Sequence, residues 1–368
     1  MAANARKTNY FTERDRKNQS KLFEIIDKDL PFFCREYFIG IENNTAVLTR
    51  LNYAYDLRVF FKYLMTERSP FTGKDTQAIK LADLSLLSSY DIENFLSHLS
   101  YYEDTQGNIV TNKDKGKARK LSSVRAMLRF FLKKEKIDKD PTLAVKTPKI
   151  YEKEIIRLEK DEIPDILDKA ESGQGLSRHQ IAYHDNTKIR DTAIVGLLLG
   201  TGIRVSELVG LDLTDVDFQN ASFVVTRKGG NRVMLYFNEE IGGMLYDYYM
   251  LRTGIAKQGI KDEKAFFLSL QNKRISVKAV QNLVKKYSQL VNPLKKISPH
   301  KLRSTYGTEL YRQTGDIYIV ADVLGHKDVN TTKKHYAAIS DEQRKKASTK
   351  VNLRSNSADS DINENKLN

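Results

Sequence analysis

Apolar residues recur at helical spacing through the first third of the chain. The segment Thr45–Glu67 reads as one long helix, because its apolar positions follow steps of three and four. Similar spacing predicts two short helical pieces within residues 21–42, interrupted at Pro31, and a helix capped by Ser89. Another long helix is expected over residues 117–136. A helical bundle of this size forms a domain by itself.

The polar stretches suggest where this bundle begins and ends. Residues 1–20 are polar and are predicted to be a flexible N-terminus, so the helical domain covers residues 21–138. Residues 139–157 carry two prolines and no helical period, which is typical of an interdomain linker. A second domain is expected over residues 158–352, and the polar tail 353–368, rich in Ser, Asn and Asp, is predicted to be disordered.

The second domain mixes helical and strand patterns. The apolar run 187–199 predicts a helix that leads into the turn TGIRVSEL, and alternating apolar residues predict strands at 223–225 and 233–237. Between these strands lies RKGGN, a hairpin turn with two glycines. The remaining segments read as helices, including one just beyond Tyr336. The predicted fold class is therefore mainly α with a small antiparallel β-sheet.

Charge and composition narrow the functional classes. The 368 residues include 61 Lys and Arg against 47 Asp and Glu, a formal net charge of +14. This excess favours a nucleic-acid partner, although a merely basic protein would have it too. The single cysteine, Cys34, and the lack of an apolar membrane span or signal-peptide core predict a cytoplasmic protein with no membrane association. No cofactor motif and no Cys/His metal spacing is present.

The candidate chemistry is concentrated in SPHKLRSTYGTELYRQTGDIYIVADVLGHKDVNTTKKHY, residues 298–336. Arginine matches phosphate oxygens bidentately, histidine donates hydrogen bonds and moves protons near neutral pH, and tyrosine can form a covalent intermediate. Such a set can hold and attack a phosphodiester without a metal. Five residues supply it: Arg204, His300, Arg303, His326 and Tyr336.

These blocks resemble the tyrosine recombinases, most closely the Xer-like ones. The family pattern is an Arg in a TG-R-SEL box, a Lys in a β-hairpin, an H-x-x-R box, an LGH box and a nearby Tyr, and all five occur here in order. The resemblance covers about residues 188–338. It implies a helical, SAM-like core-binding domain that grips the duplex, a mixed α/β catalytic domain, and DNA strand exchange through a 3′-phosphotyrosyl enzyme and a Holliday junction.

The resemblance also assigns roles. Tyr336 is the expected nucleophile, and its interval from His326 is one residue longer than the family usually has. Arg204 and Arg303 are expected to bind the non-bridging phosphate oxygens, and His326 is expected to donate to one of them. His300 would take the proton from Tyr336 or bond the phosphate.

Two further positions complete the predicted site. Lys228 precedes Gly229 in the hairpin, as the family's lysine does, and is the expected general acid for the leaving 5′-oxygen, with Arg227 as its nearest competitor. Glu207 lies three residues after Arg204, about one helical turn away, so we expect it to support that guanidinium.

The DNA contacts outside the site are assigned from charge. A basic helix face can simply be solvated, but a catalytic domain that acts on DNA favours a DNA-facing interpretation. We expect the contacts to come from Arg119, Arg125 and Arg129 on the long helix and from Arg227 in the hairpin.

Several functions fit the same residues. The preferred one is a Xer-like recombinase that resolves chromosome dimers as a homotetramer on two synapsed double-stranded DNA sites. Integration or excision of a mobile element is the main alternative. A type IB topoisomerase uses the same chemistry, and a non-catalytic DNA-binding protein could keep the fold. A second recombinase or an accessory protein as partner is left open.

Overall fold

The chain folds into two units. The computed structural model describes residues 10–104, 107–151, 156–227, 230–254, 259–325 and 329. Backbone contacts divide the chain into Met1–Lys153 and Glu154–Asn368. The division falls within residues 139–157, the segment that the sequence predicts as a linker.

The first unit is a helical bundle. Its elements are α1 (Tyr10–Asp29), α2 (Cys34–Gly40), α3 (Val47–Glu67), α4 (Ser89–His98), β1 (Tyr102–Glu103), β2 (Ile109–Val110) and α5 (Asp114–Lys133). Helix α3 packs against α1, α4 and α5, and α2 packs against α1 and α5. The two short strands β1 and β2 form an antiparallel hairpin between α4 and α5 in sequence.

The apolar stripes read from the sequence form the core of this unit. Leu57 and Phe61 of α3 are fully buried with Phe95 of α4 and Phe131 of α5. The rings of Phe60 and Phe95 meet edge to face, with 5.1 Å between their centroids. This arrangement confirms the predicted long helix, since its spacing of three and four turns one apolar face toward its neighbours.

Three boundaries in this unit differ from the sequence prediction. Helix α1 begins at Tyr10, so the prediction of a flexible segment was wrong for residues 10–20. The side chain of Ser88, not Ser89, caps α4 by accepting from the Asp91 amide. Helix α5 begins at Asp114, three residues before the predicted start. Polar residues on the outer face of a packed helix interrupt the apolar pattern, so that pattern does not show where the helix begins.

The second unit is also mainly helical, with one small sheet. Its elements are α6 (Glu162–Ser172), α7 (Arg178–His184), α8 (Lys188–Thr201), α9 (Val205–Val209), β3 (Val216–Asp217), β4 (Ser222–Thr226), β5 (Arg232–Tyr236), α10 (Glu239–Gly254), α11 (Val277–Val291), α12 (Pro299–Thr314) and α13 (Ile317–Leu324). The three strands of the sheet are antiparallel in the order β3-β4-β5.

Helix α8 organises the second unit. It is apolar on nearly every face and packs against α6, α10 and α12, while α12 also packs against α13. A helix that is hydrophobic all round belongs in a core. The alternating residues of β4 and β5 pair in register, with Phe223 opposite Leu235 and Val225 opposite Val233. The predicted fold class, mainly α with a small antiparallel sheet, is confirmed.

Along the described ranges, no helix is long and apolar enough to cross a membrane.

Candidate active site

Arg204 lies in a sharp turn between α8 and α9. Helix α8 ends at Thr201, and Gly202 follows in the left-handed conformation with φ of 59°. A glycine C-cap of this kind ends a helix and redirects the chain without a Cβ penalty. Arg204 is then extended, with φ −76° and ψ 145°, and occupies the N-cap of α9. The backbone of Arg204 is therefore fixed between the C-terminal end of α8 and the N-terminal end of α9.

Glu207 binds Arg204 through both carboxylate oxygens. The Arg204 amide donates to Glu207 Oε2 (2.9 Å), and Arg204 Nη1 donates to Glu207 Oε1 (2.8 Å). The Glu207 side chain is only 3% exposed, whereas that of Arg204 is 36% exposed. The contact expected from the three-residue spacing is present. It orients the guanidinium while leaving part of it open to solvent.

Arg303 and His300 lie on the first turns of α12. Pro299 stands at the start of this helix, as the sequence predicts. Arg303 is 5% exposed, and its Nη1 donates to Gly202 O (2.5 Å), the carbonyl at the α8 cap. His300 is exposed. The same helix thus presents one buried cation and one solvent-facing imidazole.

Three guanidiniums meet the carbonyl end of α13. Helix α13 ends at Leu324, and Gly325 follows in the left-handed conformation with φ of 61°. Unsatisfied carbonyls and the helix dipole make such an end favourable for cations. Each of its last carbonyls accepts from a different arginine: Val323 O from Arg227 Nη2 (2.9 Å), Leu324 O from Arg303 Nη2, and Gly325 O from Arg204 Nη2 (3.2 Å).

Arg227 stands at the base of the β4–β5 hairpin. Its amide donates to Asn231 O (2.8 Å), and its carbonyl accepts from the Gly230 amide (3.0 Å). Its side chain reaches Val323 O on α13. The sequence assigned Arg227 to DNA; no sequence signal indicated this inward contact, because the partner lies 96 residues away.

Three of the predicted site residues lie outside the described residues: Lys228, His326 and Tyr336. Along the chain, however, Lys228 directly follows Arg227, and His326 directly follows Gly325. The structure therefore brings together the predicted phosphate ligands Arg204 and Arg303 at the carbonyl end of α13, beside Gly325, the residue before His326. Among the described residues, no group of three His, Cys, Asp or Glu side chains is placed to hold a metal ion.

Tyr306 packs against the turn that carries Arg204. A Cβ added at Gly202 would lie 2.4 Å from Tyr306 Cδ1, so only glycine fits there. Burial raises the pKa of the Tyr306 phenol. The ring thus packs as an uncharged side chain against the turn that precedes Arg204. The sequence-based prediction missed this residue, although its position one turn after Arg303 on α12 was a usable signal.

The arginines predicted to bind DNA from α5 differ in their surroundings. Arg119 Nη1 donates to the buried Asp56 Oδ2 (2.6 Å), yet its side chain stays 52% exposed. Arg125 donates to Thr147 Oγ1 (2.6 Å), which fastens the end of the first unit. Arg129 is exposed on the same helix. Burial raises the pKa of the Asp56 carboxyl, opposed by Ser123 and Arg119.

The chain is similar to known recombinases over most of its length. Residues 156–343 match the model of the phage integrase family. The tyrosine recombinase XerC of Caldanaerobacter subterraneus subsp. tengcongensis is 35% identical over 304 residues, which is 81% of this chain and 80% of the relative. The tyrosine recombinase XerS of Streptococcus mutans serotype c is 30% identical over 358 residues, 88% of this chain and 97% of the relative.

A solved structure has the same fold. The crystal structure of the XerH site-specific recombinase bound to palindromic difH substrate, a post-cleavage complex, superposes with a TM-score of 0.61. The alignment covers 90% of this chain and 89% of that one at 17% identity. At this identity the likeness concerns the fold.

Proposed function

Since the chain belongs to the phage integrase family, as a tyrosine recombinase of the Xer type, we propose that it recombines one specific chromosomal site and thereby resolves chromosome dimers. Enzymes of this family cleave and rejoin DNA through a phosphotyrosine intermediate. The observation that carries the proposal is the convergence of Arg204 and Arg303 on adjacent carbonyls, Gly325 O and Leu324 O. Two cations held this close can share one phosphate.

Cleavage begins with the nucleophile. The hydroxyl oxygen of Tyr336 forms a bond to the scissile phosphorus, and the bond from phosphorus to the 5′-oxygen breaks. The tyrosine proton passes to His300 or to solvent, and Lys228 supplies a proton to the leaving 5′-oxygen. The products are a 3′-phosphotyrosyl link and a free 5′-hydroxyl. Rejoining runs these steps in reverse with the 5′-hydroxyl of the partner strand, so no ATP is consumed.

The phosphate ligands stabilise the transition state. The pentacoordinate phosphorus carries more negative charge than the starting diester. The interactions of Arg204, Arg303 and His326 with its oxygens therefore become stronger as the reaction proceeds. Loss of one such donor costs about 2.7–4 kcal/mol in comparable sites. Glu207 contributes indirectly, by fixing the Arg204 guanidinium through two hydrogen bonds.

Strand exchange sets the assembly. Two duplexes contain four cleavage sites, so four protomers meet as a homotetramer on two synapsed sites. The helix predicted at residues 340–351 lies outside the described residues and begins four residues after the nucleophile in sequence. We propose that it docks on a neighbouring protomer and couples the state of one active site to the next.

The test uses DNA that the protein itself selects. Sequencing of duplexes bound by the full chain gives the site, and a nicked suicide substrate carrying it traps the covalent adduct. We expect Tyr336→Phe to abolish the adduct with site binding nearly unchanged, because only the hydroxyl is lost. Tyr318→Phe is the matched control, since Tyr318 is 71% exposed on α13. An undiminished adduct with Tyr336→Phe refutes the assignment.

The selected DNA also separates the biological roles. A single chromosomal site supports dimer resolution, whereas the ends of a mobile element assign the chain to integration or excision. Relaxation of a supercoiled plasmid that lacks the site would instead support topoisomerase activity. Recombination that occurs only with a second protein present would identify a partner recombinase or an accessory factor.

A further inference from the structure

Every carbonyl at the end of α13 has a donor. The Gly325 amide turns back and serves the carbonyls of Ala321 and Asp322, as a left-handed C-cap does. The next three carbonyls face the arginines. Arg204 and Arg303 already have an expected role in catalysis, whereas the third cation, Arg227, was expected only as a DNA contact and as a competitor of Lys228.

Arg227 connects two segments that are distant in sequence. Its backbone closes the base of the β4–β5 hairpin through Asn231 and Gly230, and its Nη2 donates to Val323 O at 2.9 Å. The guanidinium also lies close to Gly325, where an added Cβ would be 2.2 Å from Nη1. Gly325 therefore has to be glycine both for its φ of 61° and for this contact.

The Nε edge of the Arg227 guanidinium is buried. Arg227 Nε has almost no solvent-accessible surface and no hydrogen-bond partner among the described residues. An arginine that served mainly as a DNA phosphate contact would be expected to present this edge to solvent. The bond to Val323 O instead fixes how far the hairpin base stands from α13.

We propose that Arg227 is a positioning residue, which clamps the hairpin base to the last turn of α13. Each end of the clamp is followed directly in sequence by a residue that the proposed function uses, Lys228 on the hairpin and His326 after Gly325. We therefore expect loss of the clamp to affect the steps assigned to both of these residues. The assignment rests on the proposed recombinase function only for its catalytic consequence.

One measurement tests the clamp without DNA. Hydrogen exchange is followed in the peptide 317–325 of the full chain, for Arg227→Ala, Arg227→Lys and Arg232→Ala. Arg232 is the matched control: it lies on the same hairpin, is 64% exposed and pairs with Asp215 at 2.7 Å. We expect faster exchange at the end of α13 with Arg227→Ala, and no change with Arg232→Ala. Unchanged exchange with Arg227→Ala overturns the clamp, whether or not the chain cleaves DNA.

A second measurement tests its effect on cleavage. On the suicide substrate, Arg227→Ala should slow cleavage by about 10- to 100-fold, the scale of a misplaced group, with Arg227→Lys recovering part of the rate. Affinity for the site and its salt dependence should stay as in the unsubstituted chain. A salt slope reduced by about one would make Arg227 a phosphate contact and overturn the proposal.

The last comparison separates positioning from acid catalysis. With a 5′-bridging sulfur as leaving atom, the acid is not needed, but Arg227→Ala should stay partly impaired because the support at the α13 end of the clamp is still missing. Full rescue of the cleavage rate would mean that Arg227 acts only in proton donation, either as the acid itself or by supporting Lys228. It would overturn the proposed link between Arg227 and His326. In a His326→Ala background, Arg227→Ala should cost far less than in the unsubstituted chain; additive losses would overturn the link to His326. If the unsubstituted chain cleaves no DNA, the proposed function fails, and hydrogen exchange still decides the clamp.

Discussion

Replacement of Glu207 by glutamine tests how Arg204 is held. Both oxygens of Glu207 act as acceptors, Oε2 for the Arg204 amide and Oε1 for Arg204 Nη1. Glutamine has the same shape but only one acceptor oxygen. Its amide nitrogen is a donor and would face one of the two Arg204 donors. Glu207→Gln therefore removes one hydrogen bond and places two donors against each other at a side chain that is only 3% exposed.

The magnitude follows from the lost bond. A hydrogen bond that involves a charged group contributes about 1.5–3 kcal/mol. Because the Arg204 side chain is 36% exposed, solvent screens part of the charge and the lower half of that range is the better estimate. If the loss falls on the transition state, cleavage slows by between about 10-fold and about 50-fold. Site affinity should change much less, since the arginine and its charge remain.

The assay is single-turnover cleavage of the suicide substrate, with binding measured in parallel. Glu309→Gln is the matched control: it changes another Glu–Arg pair at three-residue spacing, Glu309 with Arg312 at 2.7 Å. The Glu309 side chain is 21% exposed, against 3% for Glu207, so solvent screens this pair more and it should be worth about 0–1 kcal/mol. Equal cleavage rates for Glu207→Gln and Glu309→Gln would refute the view that Glu207 holds Arg204 in its reactive orientation.

Three further predictions concern other parts of the site. Lys228→Ala should slow cleavage of the ordinary substrate but be rescued by a 5′-bridging sulfur, and equal impairment on both would exclude Lys228 as the acid. Gly202→Ala should lower the free energy of unfolding, measured in urea, by about 2–5 kcal/mol, since a left-handed residue and a clash with Tyr306 add together. Gly243→Ala, whose Cβ would meet nothing within 4 Å, is its control, and an equally small loss in both contradicts the packing argument. Truncation after Ala338 should leave half-site binding but prevent a synaptic tetramer, so full-rate recombination by the truncated chain would disprove trans docking.

Local spacing was enough to predict part of the site. The three-residue interval between Arg204 and Glu207 predicted their contact, which the structure confirms. The interval between His300 and Arg303 predicted one helix beginning at Pro299, and α12 begins there. In both cases the two residues lie within a single helical turn, whose geometry depends little on the rest of the fold.

The sequence could not predict which cations turn inward. Arg227 and Arg119 looked alike as members of basic segments, yet one bonds Val323 O and the other the buried Asp56. Their partners are 96 and 63 residues away, and nothing in the local pattern marks those acceptors. Charge along a chain predicts the class of partner, while the direction of each side chain is decided by tertiary packing.

The type of acceptor that holds each arginine affects how much positive charge remains to bind a phosphate. A carboxylate holds an arginine in place but also cancels its charge, whereas a backbone carbonyl orients the guanidinium and remains neutral. Here Glu207 is the carboxylate on Arg204, and the contacts to Val323, Leu324 and Gly325 run through carbonyls. In the proposed reaction, the carbonyl end of α13 would fix the geometry of Arg204 and Arg303 before DNA binds and would leave their positive charge for the phosphate. A donor that is already oriented needs little reorganisation as charge develops, which is how preorganised sites lower a barrier.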